Sequence, residues 1–174
     1  DGYGDKAEQL AGADKPWGPF SGGKYSAYDA GTRMPTIVYW PGKVKPAVSD
    51  ALFSQVDFYA SLANLVGHPL AADEATESYD MLDVILGKST RGRQDMLEEA
   101  YTLALREGYW KYIAPQTKPT PGWLENKHIA TGLSNEPQLF DLRTDTLEQH
   151  NLMKVHPEQG QKMKDILDSI VAKP

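Results

Sequence analysis

The stretch from Gly22 to Lys43 constrains this chain most, because it joins a glycine-hinged loop to an apolar run. Gly22-Gly23-Lys24-Tyr25-Ser26-Ala27-Tyr28-Asp29-Ala30-Gly31-Thr32-Arg33-Met34-Pro35 opens with two glycines that let the backbone approach whatever Lys24 faces. Gly31 can take a positive φ, and Pro35 biases the residue before it towards extended backbone. Ile37-Val38-Tyr39-Trp40 is then β-branched and aromatic, is closed by Pro41-Gly42, and predicts a buried strand. Functional side chains tend to sit on loops that feed a core strand.

The following segment, residues 44–48, is a polar connection containing a proline. Ser54 to Val66 predicts a helix: Ser54 and Asp57 have capping-box spacing, and Phe53 can staple to Phe58. Val56, Tyr59, Leu62, Ala63 and Val66 repeat at helical spacing and predict one buried face, with Gly67 as the stop and Pro69 barring continuation. Met81 to Leu86 reads as one turn of helix ended by Gly87, and Lys88 to Arg93 as a solvated basic segment.

From Met96 onward the period changes. Residues 102–106 and 109–114 predict a β-hairpin turning on Gly108, and residues 138–142 a further strand. Thr144-Asp145 makes a turn. The last element is a helix, with His156 at its cap, Pro157 at its first position, and Met163, Ile166, Leu167, Ile170 and Val171 on one stripe. That helix should lie across the sheet. The long irregular piece between Gln116 and Glu136 holds Trp123 and His128, and loops of that length are commonly functional or mobile.

Two phrases resemble the sulfatase family. One is the Gly-Gly-Lys-Tyr turn followed by Asp29, Gly31-Thr32-Arg33 and Trp40-Pro41-Gly42-Lys43. The other is Leu139-Phe140-Asp141-Leu142 followed by Asp145, Glu148 and Asn151-Leu152, which is similar to the family's C-terminal subdomain. The helix around Asp57 has the family's shape as well. The resemblance runs from about Tyr3 to Val171. It departs from the family pattern at Ser21, where a basic residue is common, and at Asp29-Ala30, where Glu-Gly is commoner; both put the neighbouring subsite and the substrate class in question.

What that resemblance implies is an α/β fold. Residues 1–95 would be the C-terminal part of a catalytic domain, with Ile37–Trp40 on the edge of a large mixed sheet flanked by helices. Residues 96–174 would be an α+β C-terminal subdomain, a small antiparallel sheet covered by a terminal helix. Lys24 would be the lysine that contacts the substrate's sulfate, and so both a catalytic and a substrate-binding residue. Trp17, Trp123 and His128 are further substrate-contact candidates, and Asp29 and Arg33 would brace the loop by ion pairing. Read without the resemblance, Lys24 is a surface lysine in a turn, and the aromatic residues pack on their own loops.

The family hydrolyses sulfate esters with a formylglycine made from a Cys or Ser, whose hydrate attacks sulfur while calcium polarises the sulfate oxygens. Neither group is expected to be held here. The chain has no cysteine, no serine sits in the family's nucleophile motif, and the calcium motif is expected before Asp1. The chain therefore reads as a C-terminal fragment, inactive alone, whose partners are the N-terminal part of the same protein and a sulfated small molecule or glycan. Family members of bacterial type are usually exported, so a periplasmic or secreted location is expected. Two alternatives stay open: a phosphatase or phosphonate hydrolase of the same superfold, or a noncatalytic sulfate- or glycan-binding relative.

Composition narrows the remaining classes. A net charge of −6 argues against general nucleic-acid binding, which calls for a basic surface. No apolar run is long enough to span a membrane. His68, His128, His150 and His156 have no partner at the i+2 or i+4 spacing of a metal pair, and the pairs Asp73-Glu74 and Glu98-Glu99 read as solvated faces.

Overall fold

A computed structural model describes residues 18–125 and 129–173. The chain divides into two compact units, one made of the residues up to Met34 together with Leu97 onward, the other of Pro35–Met96.

The first unit is built on a four-stranded sheet: β1 (Asp95–Glu99), whose first two residues belong to the other unit, β2 (Leu103–Glu107), β3 (Trp110–Ile113) and β4 (Gln138–Asp141), in the order β1-β2-β3-β4. β2 and β3 form the expected hairpin, antiparallel with Glu107 opposite Trp110, and Gly108 supplies the turn with a φ of +56°. β4 runs antiparallel to β3 with Phe140 opposite Lys111. Side chains alternate between faces along each strand. One face therefore carries Leu105, Tyr112 and Leu139, and it is covered by Met163 and Leu167 of the terminal helix. The other carries Ala104, Ile113 and Phe140, and it is covered by Ala27 and Tyr28 of the glycine-hinged loop. The sheet is sandwiched between a helix and that loop.

The terminal helix spans Pro157–Val171, with Pro157 in its first turn as expected. Proline there lacks only an N–H that the helix would not use. Met163 and Leu167 are buried, and Ile166 and Ile170 pack beside them, but Val171 at the frayed end is exposed. Among the described residues the unit also contains two single-turn helices, α1 (Asp29–Thr32) and Gly122–Glu125. β1 was not expected as a strand, because its Asp-Met-Leu-Glu-Glu sequence lacks β-branched residues.

The second unit holds α2 (Asp57–Leu65) and α3 (Leu82–Ile85). α2 begins later than the spacing predicts, with Val56 at its cap and no side-chain cap bond, so of the capping box only the Asp57 half forms, while the staple is present. Ser54 N–H donates to Asp57 Oδ2 at 3.0 Å, and the rings of Phe53 and Phe58 meet edge to face at 5.0 Å. Gly67 ends it in the left-handed region, with His68 N–H donating to Ala63 at 2.8 Å.

Three expectations fail in this unit. Ile37–Trp40 forms no strand, and Ile37 and Tyr39 are 91% and 87% exposed. β-propensity describes fit to a paired, half-buried surface, and among the described residues nothing offers this run a ladder. The buried face of α2 is also not the apolar stripe. Asp57, Ala60 and Ser61 are buried, while Val56, Tyr59, Leu62 and Val66 are exposed. Finally, Arg93 is not solvated: its Nε and Nη2 donate to Asp57 Oδ2 at 2.8 Å and Oδ1 at 2.5 Å, and its guanidinium lies over the Tyr79 ring. A buried carboxylate must be paired, so Asp57 draws Arg93 inward and turns its own face of the helix towards it.

Candidate functional site

The loop that bears Lys24 is pinned to the sheet unit on both sides of that residue. Before Lys24, the Ser21 hydroxyl donates to the Leu147 carbonyl. After it, Ser26 Oγ donates to Ala130 O at 2.8 Å and Ala27 N–H to Thr131 O at 2.8 Å. The glycines make the wrap possible. A Cβ on Gly22, where φ is +91°, would fall 2.3 Å from Ser26 Oγ, and one on Gly31 would fall 2.1 Å from the Ser26 carbonyl oxygen. Gly31 is thus required by close approach and not by a positive φ, since it lies inside α1.

Lys24 itself is exposed, and its Nζ stands 5.4 Å from the centre of the Tyr25 ring. Tyr25 has a φ of +77°, which an L-residue seldom adopts, and its ring meets Trp123 edge to face at 5.0 Å. Tyr101, at φ +60°, completes a group of three rings, 6.2 Å from Tyr25 and 5.9 Å from Trp123. The structure therefore gathers Lys24 and Trp123 into one neighbourhood. Tyr25 and Tyr101 were not singled out from the sequence, although Tyr25 adjoins Lys24. Trp17 and His128 lie outside the described residues.

Beneath the loop, Asp29 is buried at the centre of a charged cluster. Lys111 Nζ lies 3.0 Å from Asp29 Oδ1, 3.2 Å from Glu98 Oε2 and 3.2 Å from Glu148 Oε1. Arg106 Nη1 approaches Asp29 at 3.3 Å, and Arg33 approaches from the solvent side at 3.4 Å. Glu148 Oε2 also accepts the Asp29 backbone N–H at 2.7 Å. Glu98, expected on a solvated face, is instead drawn in by Lys111, whose side chain is 0% exposed.

The electrostatics follow from this packing. Burial pushes the Asp29 carboxyl up, but the Lys111 ammonium and Arg106 guanidinium outweigh it and hold the group below the usual carboxylate range. Burial pushes the Lys111 ammonium down, and the three carboxylates around it outweigh that and hold it above an ordinary lysine. Glu148 goes the other way: burial dominates, against the pull of Lys111, and lifts it to about 7. The three carboxylates share Lys111, and Asp29 has Arg106 and the more exposed Arg33 besides, whereas Glu148 has Lys111 as its ion-pair partner, so burial penalises its charged form most.

A calcium ion does not fit this cluster. Its three carboxylates already converge on the Lys111 ammonium, and among the described residues no group of His, Cys, Asp or Glu can hold a metal ion. What the site offers chemically is an exposed, rigidly mounted cation beside aromatic rings, suited to an anionic group.

A sheet covered by a terminal helix on one face and by a lysine-bearing loop on the other defines the class of this α/β chain. A family model described as Sulfatase matches residues 3–68. An N-acetylgalactosamine-6-O-sulfatase of Bacteroides thetaiotaomicron is 42% identical over 172 residues, covering 98% of this chain and 33% of that protein. Steryl-sulfatase of Mus musculus is 27% identical over 187 residues, covering 97% and 29%. A solved structure described under the metabolism of multiple glycosaminoglycans by Bacteroides thetaiotaomicron superposes with a TM-score of 0.88 at 42% identity, covering 96% of this chain and 35% of that one. The chain belongs to the sulfatase family. It spans about a third of the length of the curated relatives it matches.

Proposed function

We propose that the full-length protein carrying this chain is a sulfuric ester hydrolase acting on sulfate monoesters of sulfated carbohydrates, and that Lys24 binds the sulfate. The observation that carries this reading is the placement of Lys24: an exposed cation on a loop fixed at Ser21, Ser26, Ala27 and Asp29, within the region that matches the family model. The carbohydrate class is supported by 42% identity to a protein named for N-acetylgalactosamine-6-O-sulfate. Residues 1–95 would complete a catalytic domain and residues 96–174 would form its C-terminal subdomain. Calcium and a formylglycine, held by residues outside this chain, would supply the polarisation and the nucleophile. Export to the periplasm or beyond is part of the same reading.

A lysine beside the transferring group can neutralise oxygen charge in a site from which water is excluded, where such contacts act most strongly. Trp123, with Tyr25 and Tyr101, would line the approach to it. The test is turnover by the full-length protein of 4-nitrophenyl sulfate and of 6-sulfated N-acetylgalactosamine, against the corresponding phosphate ester. Sulfate release that falls roughly 10²–10³-fold in Lys24→Ala supports the reading. Preferential phosphate release would favour the phosphatase alternative, and binding of the sulfated sugar without turnover the noncatalytic one.

A further inference from the structure

Asp29 is five residues beyond Lys24, and it is the point at which the loop meets the sheet's charges. Its carboxylate is held by Lys111 of β3 and Arg106 of β2, and its backbone N–H by Glu148. Between these two residues lie Tyr25, held at a φ of +77° with its ring against Trp123, Ser26 and Ala27, bonded to Ala130 and Thr131, and Tyr28, packed on Phe140. Movement of Asp29 is therefore transmitted along a short, fully bonded stem.

The cluster is built at a cost that simple loop packing does not require. Glu148 has a φ of +52°, a strained conformation for a non-glycine residue, and its carboxylate points inward. Among the described residues, Glu98 Oε2 and Glu148 Oε1 have no hydrogen-bond partner beyond the ion-pair approach of Lys111. A single ammonium thus serves three buried carboxylates where an apolar side chain would pack more cheaply.

We propose that Lys111 and Glu148 are positioning residues for the Lys24 loop, clamping Asp29 from the sheet so that the lysine meets its anion at a fixed place. This rests on the sulfate-ester reading for its catalytic consequence. Both side chains are 0% exposed. The groups around Glu148 are Lys111, Arg106 and Glu98 from three strands, Asp29 and Tyr28 from the loop, and Asp145 from its own turn. Any opening that frees Glu148 to its ordinary acidity becomes easier as pH rises from 4.5 towards 7.

Amide hydrogen exchange of residues 26–30 in the full-length protein, corrected for the intrinsic rate, reads the clamp directly. Between pH 5.5 and 7.5 the opening equilibrium should rise roughly 20-fold in the wild type. In Glu148→Gln, which keeps the shape and drops the charge, it should change less than about threefold. An equal response in both proteins overturns the proposal. Lys111→Met should raise exchange at both pH values, and unchanged protection in a folded variant overturns it as well. Catalytic coupling is read from the pH profile of kcat/KM on a sulfate ester, where the wild type should show an ionisation near 7 that Glu148→Gln lacks. If Glu148→Gln keeps the wild-type profile while Lys24→Ala loses activity, positioning fails and the sulfatase reading stands. If no sulfate ester is turned over, the sulfatase reading fails, the positioning claim falls with it, and exchange still shows whether the clamp exists.

Discussion

The two units bury opposite kinds of surface. In the sheet unit, apolar side chains are inside on both faces, under the terminal helix and under the lysine loop, and a compact group of charges is added at one end. In Pro35–Met96 the inward face of α2 is polar, holding Asp57 and Ser61, while its apolar stripe faces outward. Ser61 Oγ accepts from Met81 N–H at 2.8 Å, Ser78 Oγ accepts from Ala60 N–H at 2.9 Å, and Asp57 gathers Ser54, Tyr79 and Arg93. One unit is consolidated by hydrophobic burial and the other by hydrogen bonds and the buried Arg93–Asp57 ion pair. Amphipathic periodicity announces that a helix has an apolar face, and it is silent about which segment of protein covers that face.

The largest expected effect tests the charged end of the sheet unit. Lys111→Met leaves Asp29 with Arg106 and the more exposed Arg33 and takes from Glu98 and Glu148 the ammonium they share, and should cost about 4 kcal/mol of unfolding free energy, measured in urea. A loss below about 1 kcal/mol would mean the carboxylates find water easily, and the contrast with the polar unit would shrink.

A smaller effect separates the two units by pH. Glu148 is raised in the fold from 4.5 to about 7, so its contribution is fully present below pH 4.5 and is lost as pH rises through 7. That loss is about 3 kcal/mol. Asp57 has the opposite sign: burial raises its pKa, but Arg93 and the Tyr79 and Ser54 amides outweigh this and lower it. Its contribution is present above the ordinary aspartate pKa and is lost as pH falls through the folded value. Unfolding of Glu148→Gln should lack the decline between pH 4.5 and 7. A variant that declines as steeply as the wild type would remove Glu148 from the explanation.

These charges were the least legible part of the sequence. The Gly108 hairpin, the strand at Gln138 and the terminal helix rest on signals within a few residues of one another, and each stands where the pattern placed it. Lys111 shares its face with Ile113 by simple alternation, so its inward direction could have been inferred from the strand. Its partners could not. Asp29 is 82 residues away and is brought in only when the loop covers the sheet. Arg93 looked solvated for the same reason, because Asp57 lies 36 residues before it. Around Lys24, the glycines and the tight turn were readable, whereas the meeting of Tyr25 with Tyr101 and Trp123 depends on tertiary contact alone.

Arg93→Met probes the polar unit in the same way that Lys111→Met probes the sheet. It leaves the Asp57 carboxylate with two backbone amides and one lost guanidinium. Arg93 is partly reached by solvent, at 9% side-chain exposure, so the cost should be smaller, about 2–3 kcal/mol. Pairing with Arg93→Lys sharpens this further. A lysine keeps the charge but cannot make the two-pronged contact or lie flat on Tyr79, and should recover less than half of the loss.

The smallest effect tests the outward stripe. Leu62→Ala and Val66→Ala alter side chains that are 49% and 75% exposed, so each should change the stability of this 174-residue chain by less than about 0.5 kcal/mol. In the full-length protein the proposed remainder of the catalytic domain would cover α2, and Leu62→Ala should then cost about 2 kcal/mol or more, because deleting buried methyl groups leaves a cavity. Thermal unfolding of both forms compares the two values. Equal, small effects in the short and long proteins would show that the stripe stays in water, and the difference between the two units would be intrinsic to this family's fold. A large effect confined to the full-length protein would make the polar core of Pro35–Met96 half of a larger one, whose apolar half is completed from outside this chain.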